Sequence, residues 1–333
     1  MTSEPTADPE QRWLTPGVGG IGTASLLADL GHEVPTALLP SLLTSTLGAP
    51  ASALGLIEGI ADGLAGAARL AGGALADDPG RRRTVAVGGY ATTALLSGLI
   101  GVASSVWQVG MLRAGAWAAR GLRVPARNAL LADLVPAAAY GRAYGFERAM
   151  DNLGAIGGPL LALGLVALVG VRGAILASIM PGLLAAAAIV YAIVYAIGQV
   201  RRPTARERQP VHLQVRPVLA AGLGRLLAAV AAFEVGNAAT TLLILRATEL
   251  LTPTRGPRTA ATLALGCYTA YNAAATLASV PAGRLADRHG PAWVLTGGVV
   301  LSGAAYVGFA GAGAPADDAG GVFCGGRGRD RLH

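Results

Sequence analysis

Residues 73–83 read GALADDPGRRR and join two long apolar runs through a tight turn that carries two carboxylates and three arginines. A related turn, GRLADRHG, occupies residues 283–290. Five positions match at a constant offset of 210 residues: Gly73, Leu75, Ala76, Asp77 and Gly80 correspond to Gly283, Leu285, Ala286, Asp287 and Gly290. A repeat of this kind in an apolar chain indicates two related helical halves.

The composition indicates a membrane protein. Of 333 residues, 53% are hydrophobic and 14% are charged, whereas a soluble domain has about 25% charged residues. Apolar runs at residues 88–110, 173–200 and 217–245 exceed the ~20 residues that a helix needs to cross a bilayer. Strand-like alternation is lacking. The predicted fold class is therefore an all-α polytopic membrane protein.

Nine transmembrane helices are predicted, at about residues 17–43, 51–73, 84–106, 108–132, 145–169, 172–198, 217–245, 259–282 and 292–312. All 26 basic residues are arginines, and many lie in the linkers after the even-numbered spans. The positive-inside rule places these linkers and the N-terminus in the cytoplasm. The net charge of +7 is thus a topology signal and indicates no nucleic-acid partner. We expect a multi-pass protein of the plasma (inner) membrane.

The spans divide into two units of unequal size. The predicted boundaries are a cytoplasmic tail at 1–16, a six-helix bundle at 17–198, an Arg/Pro-rich linker at 199–216, an incomplete bundle at 217–312 and a Gly/Arg tail at 313–333. Asp29 in span one aligns with Glu234 in span seven, which supports repetition of a six-helix unit. On this prediction, the second unit lacks its last three helices.

The turn at residues 73–83 resembles the signature loop between helices two and three of the major facilitator superfamily. The chain also resembles a bacterial branch of twelve-helix permeases within it, over about residues 20–312. The stretches that carry this resemblance are residues 29–33, 38–40, 54–61, 121–123, 127–130, 145–151 and 157–160. It implies a secondary active transporter that works by alternating access. In span four, Ala116 and Trp117 depart from the Asp-Arg of that branch.

Ionisable residues within the predicted spans are candidates for proton coupling or substrate binding, because a charge in a bilayer costs at least ~2.5 kcal/mol. Asp29, His32 and Glu33 share one face of span one. They either hold a proton or a cationic solute, or they form a local ion pair or sit in water at the end of the span.

A second acidic pair lies in span two, where Glu58 and Asp62 are followed by Arg69 on one stripe. A carboxylate that alternates between an apolar environment and an arginine partner can take up and release a proton. The alternative is a structural salt bridge. Glu234 is a third candidate.

Span four contains four arginines, of which Arg113, Arg120 and Arg127 are seven residues apart and share a face, with Arg123 beside it. The resemblance implies a proton-transfer role for Arg113. The other three are expected to run toward the cytoplasmic end, near Asp77 and Asp151, in a gating or structural cluster. That predicted cluster comprises Arg120, Arg123, Arg127, Arg148 and Asp151.

The two repeated turns are predicted gates. In the family, the loop carboxylate contacts a helix N-terminus and arginines, which is favourable by ~0.3–1 kcal/mol. The resemblance implies that Asp77 pairs with helix eleven, which the sequence lacks, and that Asp287 pairs with span five. The predicted gating residues are Gly73, Asp77, Gly80, Arg81, Arg82, Gly283, Asp287, Arg288 and Gly290.

Span five contains a small-residue motif. Gly154, Gly158 and Pro159, with Gly145, resemble a motif of drug–proton antiporters. The alternative is plain helix packing, because small residues let helices approach closely.

The sequence contains none of the enzyme or metal-site motifs sought. We therefore expect no catalysis, no metal and no cofactor. The expected function is proton-coupled efflux of a small molecule by a monomer in the lipid bilayer. The alternatives are a truncated, frameshifted or otherwise non-transporting membrane protein, or a chain completed by a second polypeptide.

Overall fold

The structure is a computed structural model that describes residues 13–199, 224, 228 and 251–311. Span seven, Glu234, most of the predicted linker and the predicted C-terminal tail lie outside the described residues. Within the described residues the secondary structure is helical, with no strand. The all-helical prediction is confirmed for this part of the chain.

Six helices form the first unit: α1 (Pro16–Ser41), α2 (Ala51–Ala76), α3 (Pro79–Leu99), α4 (Val106–Asp133), α5 (Tyr140–Ala177) and α6 (Ile179–Gln199). A π-helical turn, Leu42–Thr46, extends α1, and short 3₁₀ turns follow α3 and precede α5. Two further helices are α7 (Pro257–His289) and α8 (Pro291–Gly311).

Polar residues define three of the helix starts. The side chains of Thr15, Asp78 and Ser105 accept hydrogen bonds from backbone N–H groups in the first turns of α1, α3 and α4. Such caps satisfy donors that have no partner within the helix. Pro16 and Pro79 occupy the first positions of α1 and α3, where the missing N–H carries no penalty.

The helices pack in a fixed set of pairs. Helix α1 lies against α5 and α6, α4 lies against α2 and α3, and α7 lies against α5. A core of small and aliphatic side chains, including Val18, Ile21 and Ile189, is fully buried between them. Helices α1 and α4 therefore lie between the outer members of the first unit.

Helix α5 is interrupted at Gly170, whose backbone angles of φ 69° and ψ 176° are not helical. Glycine tolerates a positive φ at little steric cost. The sequence predicts a span boundary between residues 169 and 172, and the break falls there.

Among the described residues, four helical segments are long and apolar enough to cross a membrane: Pro79–Val102, Ala137–Ala177, Ile179–Gly198 and Pro291–Gly308. Other long helices carry buried charges, and α4 alone has three buried arginines. The chain is therefore a multi-pass membrane protein whose interior is polar.

The second copy of the repeated turn differs from the first. Helix α2 ends at Ala76 and α3 begins at Pro79, whereas α7 continues through Asp287 and breaks only at Gly290, with φ 90°. The predicted turn at residues 283–290 is therefore helical over most of its length. His289 stands where Pro79 stands in the first copy, so proline forces no early break and the helix ends before Pro291.

Candidate functional site: the arginine ladder of α4

The four arginines of α4, Arg113, Arg120, Arg123 and Arg127, are called here the arginine ladder. Three of them are buried, and Arg120 is partly exposed. Residues seven apart on a helix are two turns, about 10 Å, apart along one face. Between them the four arginines contact side chains of α1, α2, α3 and α5, so the ladder connects α4 to much of the first unit.

Arg113 joins α4 to α2 and α1. Its guanidinium lies 3.0 Å from the carboxylate of Glu58 and donates to the hydroxyl of Thr36 at 3.1 Å. It also lies 3.4 Å from the ring centre of Trp117. Arg113 is 1% exposed, whereas the Glu58 side chain is 31% exposed. The pair thus has one partner inside the bundle and one at its margin.

Trp117 connects the two acidic groups predicted from sequence. Its indole N–H donates to Asp62 at 2.9 Å, and its ring packs edge-on against His32 at 5.5 Å. Arg69 is exposed and has no contact with Asp62 among the described residues, so its predicted role beside the acidic pair is not supported. Sequence reasoning treated Trp117 only as a departure from the permease branch and missed this contact.

In the α1 cluster Asp29 and His32 are buried and Glu33 is partly exposed, and their side chains contact one another. His32 Nδ1 lies 3.0 Å from the Ala28 carbonyl oxygen and 3.2 Å from Asp29, and Nε2 lies 3.3 Å from Glu33. The contacts that a local ion pair would use are present, and the role of the cluster stays a prediction. A neutral imidazole has a single N–H and cannot donate on both sides, whereas an imidazolium can.

Asp29 is the meeting point of three helices. Its carboxylate lies 3.5 Å from Arg120 of α4 and interacts with the carboxyl group of Asp151 on α5. Asp151 also pairs with Arg148 at 2.7 Å.

Near the C-terminal end of α4, Arg127 forms a buried polar triad with Ser25 and Glu147. Arg127 lies 2.6 Å from Glu147 and donates to Ser25 at 2.9 Å, and Ser25 donates to Glu147 at 2.7 Å. Ser25 and Glu147 were not predicted as site residues. An acidic residue four positions before Asp151, on the same face of span five, was the available signal.

Arg123 has a different environment from the other members of the ladder. Its guanidinium lies 3.9 Å from the ring centre of Tyr90 on α3. Arg120, Arg123 and Arg127 were expected near Asp77 and Asp151. Asp77 is instead exposed. The side chains that contact these three arginines come from α1, α3 and α5.

In the first predicted gating loop, residues next to Asp77 make the contacts that fix the turn. Asp78 accepts from the Gly80 N–H at 2.8 Å and lies 3.4 Å from Arg81. Arg82 donates to the Ala76 carbonyl at 2.8 Å and also contacts Asp133 at the end of α4. Gly73 has open space around its Cα. The loop therefore fastens α2, α3 and α4 together on one side of the bundle.

The second predicted gating loop contacts the start of α5. Asp287 accepts from the N–H groups of Gly141 and Arg142 at 2.6 and 3.0 Å, and from Arg142 Nε at 2.9 Å. Gly141 and Gly283 touch at their backbones, so neither has room for a Cβ. The contact between Asp287 and span five is present as the resemblance implies. Arg288 is exposed in the last turn of α7.

The glycines of span five pack helices together. A Cβ at Gly154 would lie 2.6 Å from the Leu26 carbonyl oxygen, and one at Gly158 would overlap Glu33. Pro159 lies within α5 beside them. These close approaches agree with the helix-packing interpretation of the motif, and both that interpretation and the antiporter resemblance stay predictions.

Comparisons with known proteins agree with this architecture. The sequence profile described as "Major Facilitator Superfamily" matches residues 21–254. An "Uncharacterized MFS-type transporter" of Methanocaldococcus jannaschii is 27% identical over 300 residues, which are 90% of this chain and 73% of that protein.

Mycobacterial relatives match a shorter region. Uncharacterized proteins of Mycobacterium tuberculosis and Mycobacterium bovis are each 32% identical over 149 residues, which are 45% of this chain and 36% of the relative. The match thus spans about a third of those proteins. Since the superfamily profile covers well over half of this chain, the multi-pass helical protein described here belongs to the Major Facilitator Superfamily.

Proposed function

We propose that the chain is a secondary active transporter that couples export of a small molecule to proton movement by alternating access. The observation that carries this proposal is the contact of Arg113 with Glu58, which joins α4 to α2 inside the bundle at 3.0 Å. A guanidinium that is 1% exposed requires a counter-charge. Protonation of Glu58 would remove that charge and release α2 from α4.

A continuous polar path extends this pair into α1. Thr36 accepts from Arg113 and donates to the His32 carbonyl oxygen at 2.8 Å. His32 in turn lies between Asp29 and Glu33. A proton or a cationic solute that binds at any of these carboxylates changes the charge seen by α1, α2 and α4 together. A ligand shifts a conformational equilibrium only through such a difference in interaction between two states.

The contact of Asp287 with the start of α5 supplies the gate in this proposal. It joins α7, which follows the predicted linker, to the first unit through two backbone N–H groups and Arg142. Under the proposed topology, with a cytoplasmic N-terminus in the plasma membrane, this contact lies on the cytoplasmic side and closes it. The proposed direction, efflux, draws on the Gly154–Gly158–Pro159 motif.

The test is proton flux in proteoliposomes that contain a pH-sensitive dye and the purified full chain, challenged with a panel of cationic, neutral and anionic small molecules. We expect at least one solute to drive proton movement that protein-free liposomes lack. Glu58→Gln should reduce this flux at least tenfold. Unchanged flux in Glu58→Gln and Asp62→Asn would remove these carboxylates from the coupling mechanism.

A further inference from the structure

One member of the arginine ladder lacks an anionic partner. Arg123 is 3% exposed, and within the described residues its side chain makes no hydrogen bond or ion pair, while its Nε–H is buried without an acceptor. The other three ladder arginines each contact a carboxylate. A buried charge without a partner is strongly unfavourable, so an acceptor is needed at this position.

Two further buried donors belong to residues that line the same cavity as Arg123. The hydroxyls of Tyr90 and Ser97 on α3 are 1% and 2% exposed as residues and have no partner within the described part of the chain. Both line a small cavity together with Arg123, His32 and Thr93. Thr93 donates its own proton to the Gly89 carbonyl at 2.7 Å. Three residues with unsatisfied donors therefore line one small cavity.

The size of the cavity restricts its occupant. Its volume is about 10 Å³, which is close to the space that one water molecule requires. The remaining walls come from small residues of α1, α3 and α6, namely Ala28, Gly31, Ala94 and Gly182. A single compact particle fits, and a polyatomic solute does not.

We propose that the cavity between α1, α3, α4 and α6 binds one small monovalent anion, of the size of chloride, through Arg123, Tyr90 and Ser97. An anion can accept from all three donors and neutralises the guanidinium, whereas a water molecule accepts only two hydrogen bonds and carries no charge. Hydrogen bonds to a charged group contribute about twice as much as those to a neutral one. This site is separate from the Glu58–Arg113 pair, and it does not depend on the proposed proton coupling.

A bound anion would link α4 to α3 in a different way from the ion pairs of the other ladder arginines. Arg123 stacks on α3 through Tyr90, and the anion would add Ser97 and the backbone of α1 and α6 around it. The ladder would then hold α4 to α3 by a bound ion and to α1, α2 and α5 by carboxylates of the chain itself. Anion binding should therefore stabilise the folded protein.

The test uses thermal unfolding of the purified full chain in detergent, with sodium chloride or sodium bromide titrated against sodium gluconate at constant ionic strength. We expect a saturable rise in Tm of about 3 °C or more for the wild type. Tyr90→Phe and Ser97→Ala, which remove one hydroxyl each, should raise the half-saturating chloride concentration about tenfold. Tyr191→Phe is the matched control, because Tyr191 is 55% exposed on α6, and it should respond as the wild type does.

A direct observation complements the titration. Crystals of the full chain grown with bromide should give an anomalous peak among Arg123, Tyr90 and Ser97. A wild-type Tm that is the same in chloride and gluconate would overturn the proposal, with Arg123 then hydrated only. A halide effect of equal size in Tyr90→Phe and Ser97→Ala would also overturn it, because the ion would then act elsewhere.

Discussion

The pairs of the arginine ladder differ in burial, and this difference predicts their contribution to stability. Arg127 and Glu147 are 10% and 5% exposed, and Ser25 bonds to both. Removing one member of a buried pair leaves the other charge without a partner and costs about 3–5 kcal/mol. Glu147 is thus a structural residue in this account.

Replacement of Arg127 by glutamine should lower the stability of the first unit strongly. We expect a loss of about 3 kcal/mol, measured as a lower Tm or a faster rate of proteolysis in detergent. The matched control is Arg148→Gln, because Arg148 is 63% exposed in its pair with Asp151 and should contribute about 0–1 kcal/mol. Equal effects of the two substitutions would contradict the assignment.

The sequence predicts the contacts within one helix better than those between helices. The i, i+3, i+4 spacing of Asp29, His32 and Glu33 places them together, and the structure brings them into contact. The partners of Arg127 and Asp62 depend on how α1, α2 and α5 are rotated about their axes. Spacing along one chain segment carries no information on that rotation, so Ser25, Trp117 and Glu147 were missed.

Among the helices, α1 and α5 approach each other closely beside Asp29. At Gly154 the backbone of α1 lies so near that a Cβ would be 2.6 Å from the Leu26 carbonyl oxygen. A backbone carbonyl group cannot move out of the way as the end of a flexible side chain can. The two helices must therefore separate if this glycine gains a side chain, which would move Asp29 away from Arg120 and Asp151.

Gly154→Ala should destabilise the protein by about 1–3 kcal/mol because of this overlap. Gly164→Ala, also in α5, is the control, since a Cβ there meets no atom within 4 Å. It should be neutral or slightly stabilising, because alanine favours the helix. A comparison of their Tm values in the same detergent checks the prediction, and a benign Gly154→Ala would show that α1 and α5 are not so tightly packed.

The boundaries of the helices illustrate what sequence can establish about the elements. The turn between α2 and α3 follows from Asp78 and Pro79, a capping residue and a proline that cannot continue a helix. The same motif at residues 283–290 has His289 in place of the proline, and α7 runs on. Motif similarity predicted a turn in both places, and the loss of the capping aspartate and of the proline, replaced by Arg288 and His289, accounts for the difference.

For the molecule as a whole, the account depends on the contact between α7 and α5. Asp287 receives two backbone N–H groups at the start of α5 and the guanidinium of Arg142. A carboxylate at a helix N-terminus is favoured by the helix dipole as well as by these hydrogen bonds. These contacts support the proposed role of Asp287 as a gate.

Asp287→Asn should weaken this contact and expose the start of α5. We expect the backbone amides of Gly141 and Arg142 to exchange hydrogen about tenfold faster, as measured by mass spectrometry in detergent or nanodiscs. Arg288→Gln is the control, because Arg288 is exposed in the same turn of α7 and should leave exchange unchanged. Identical exchange in Asp287→Asn and wild type would argue against a gate at this position.

The family and the helical, multi-pass character could be predicted from apolar runs and the repeated turn, and the match to residues 21–254 confirms them. The predicted domain boundaries, topology and coupling ion stay predictions. They depend on the bilayer, on the solute and on residues such as Glu234, which lies outside the described part of the chain.

The most direct test of the account separates exchange of solute from its accumulation. Proteoliposomes containing wild type or Glu58→Gln would be assayed, with a solute identified in the panel above, for counterflow without a pH gradient and for transport driven by one. The account predicts that Glu58→Gln retains counterflow and loses at least tenfold of the gradient-driven transport. Gradient-driven transport that survives in Glu58→Gln at the wild-type rate would contradict the central claim that the Glu58–Arg113 pair couples protons to transport.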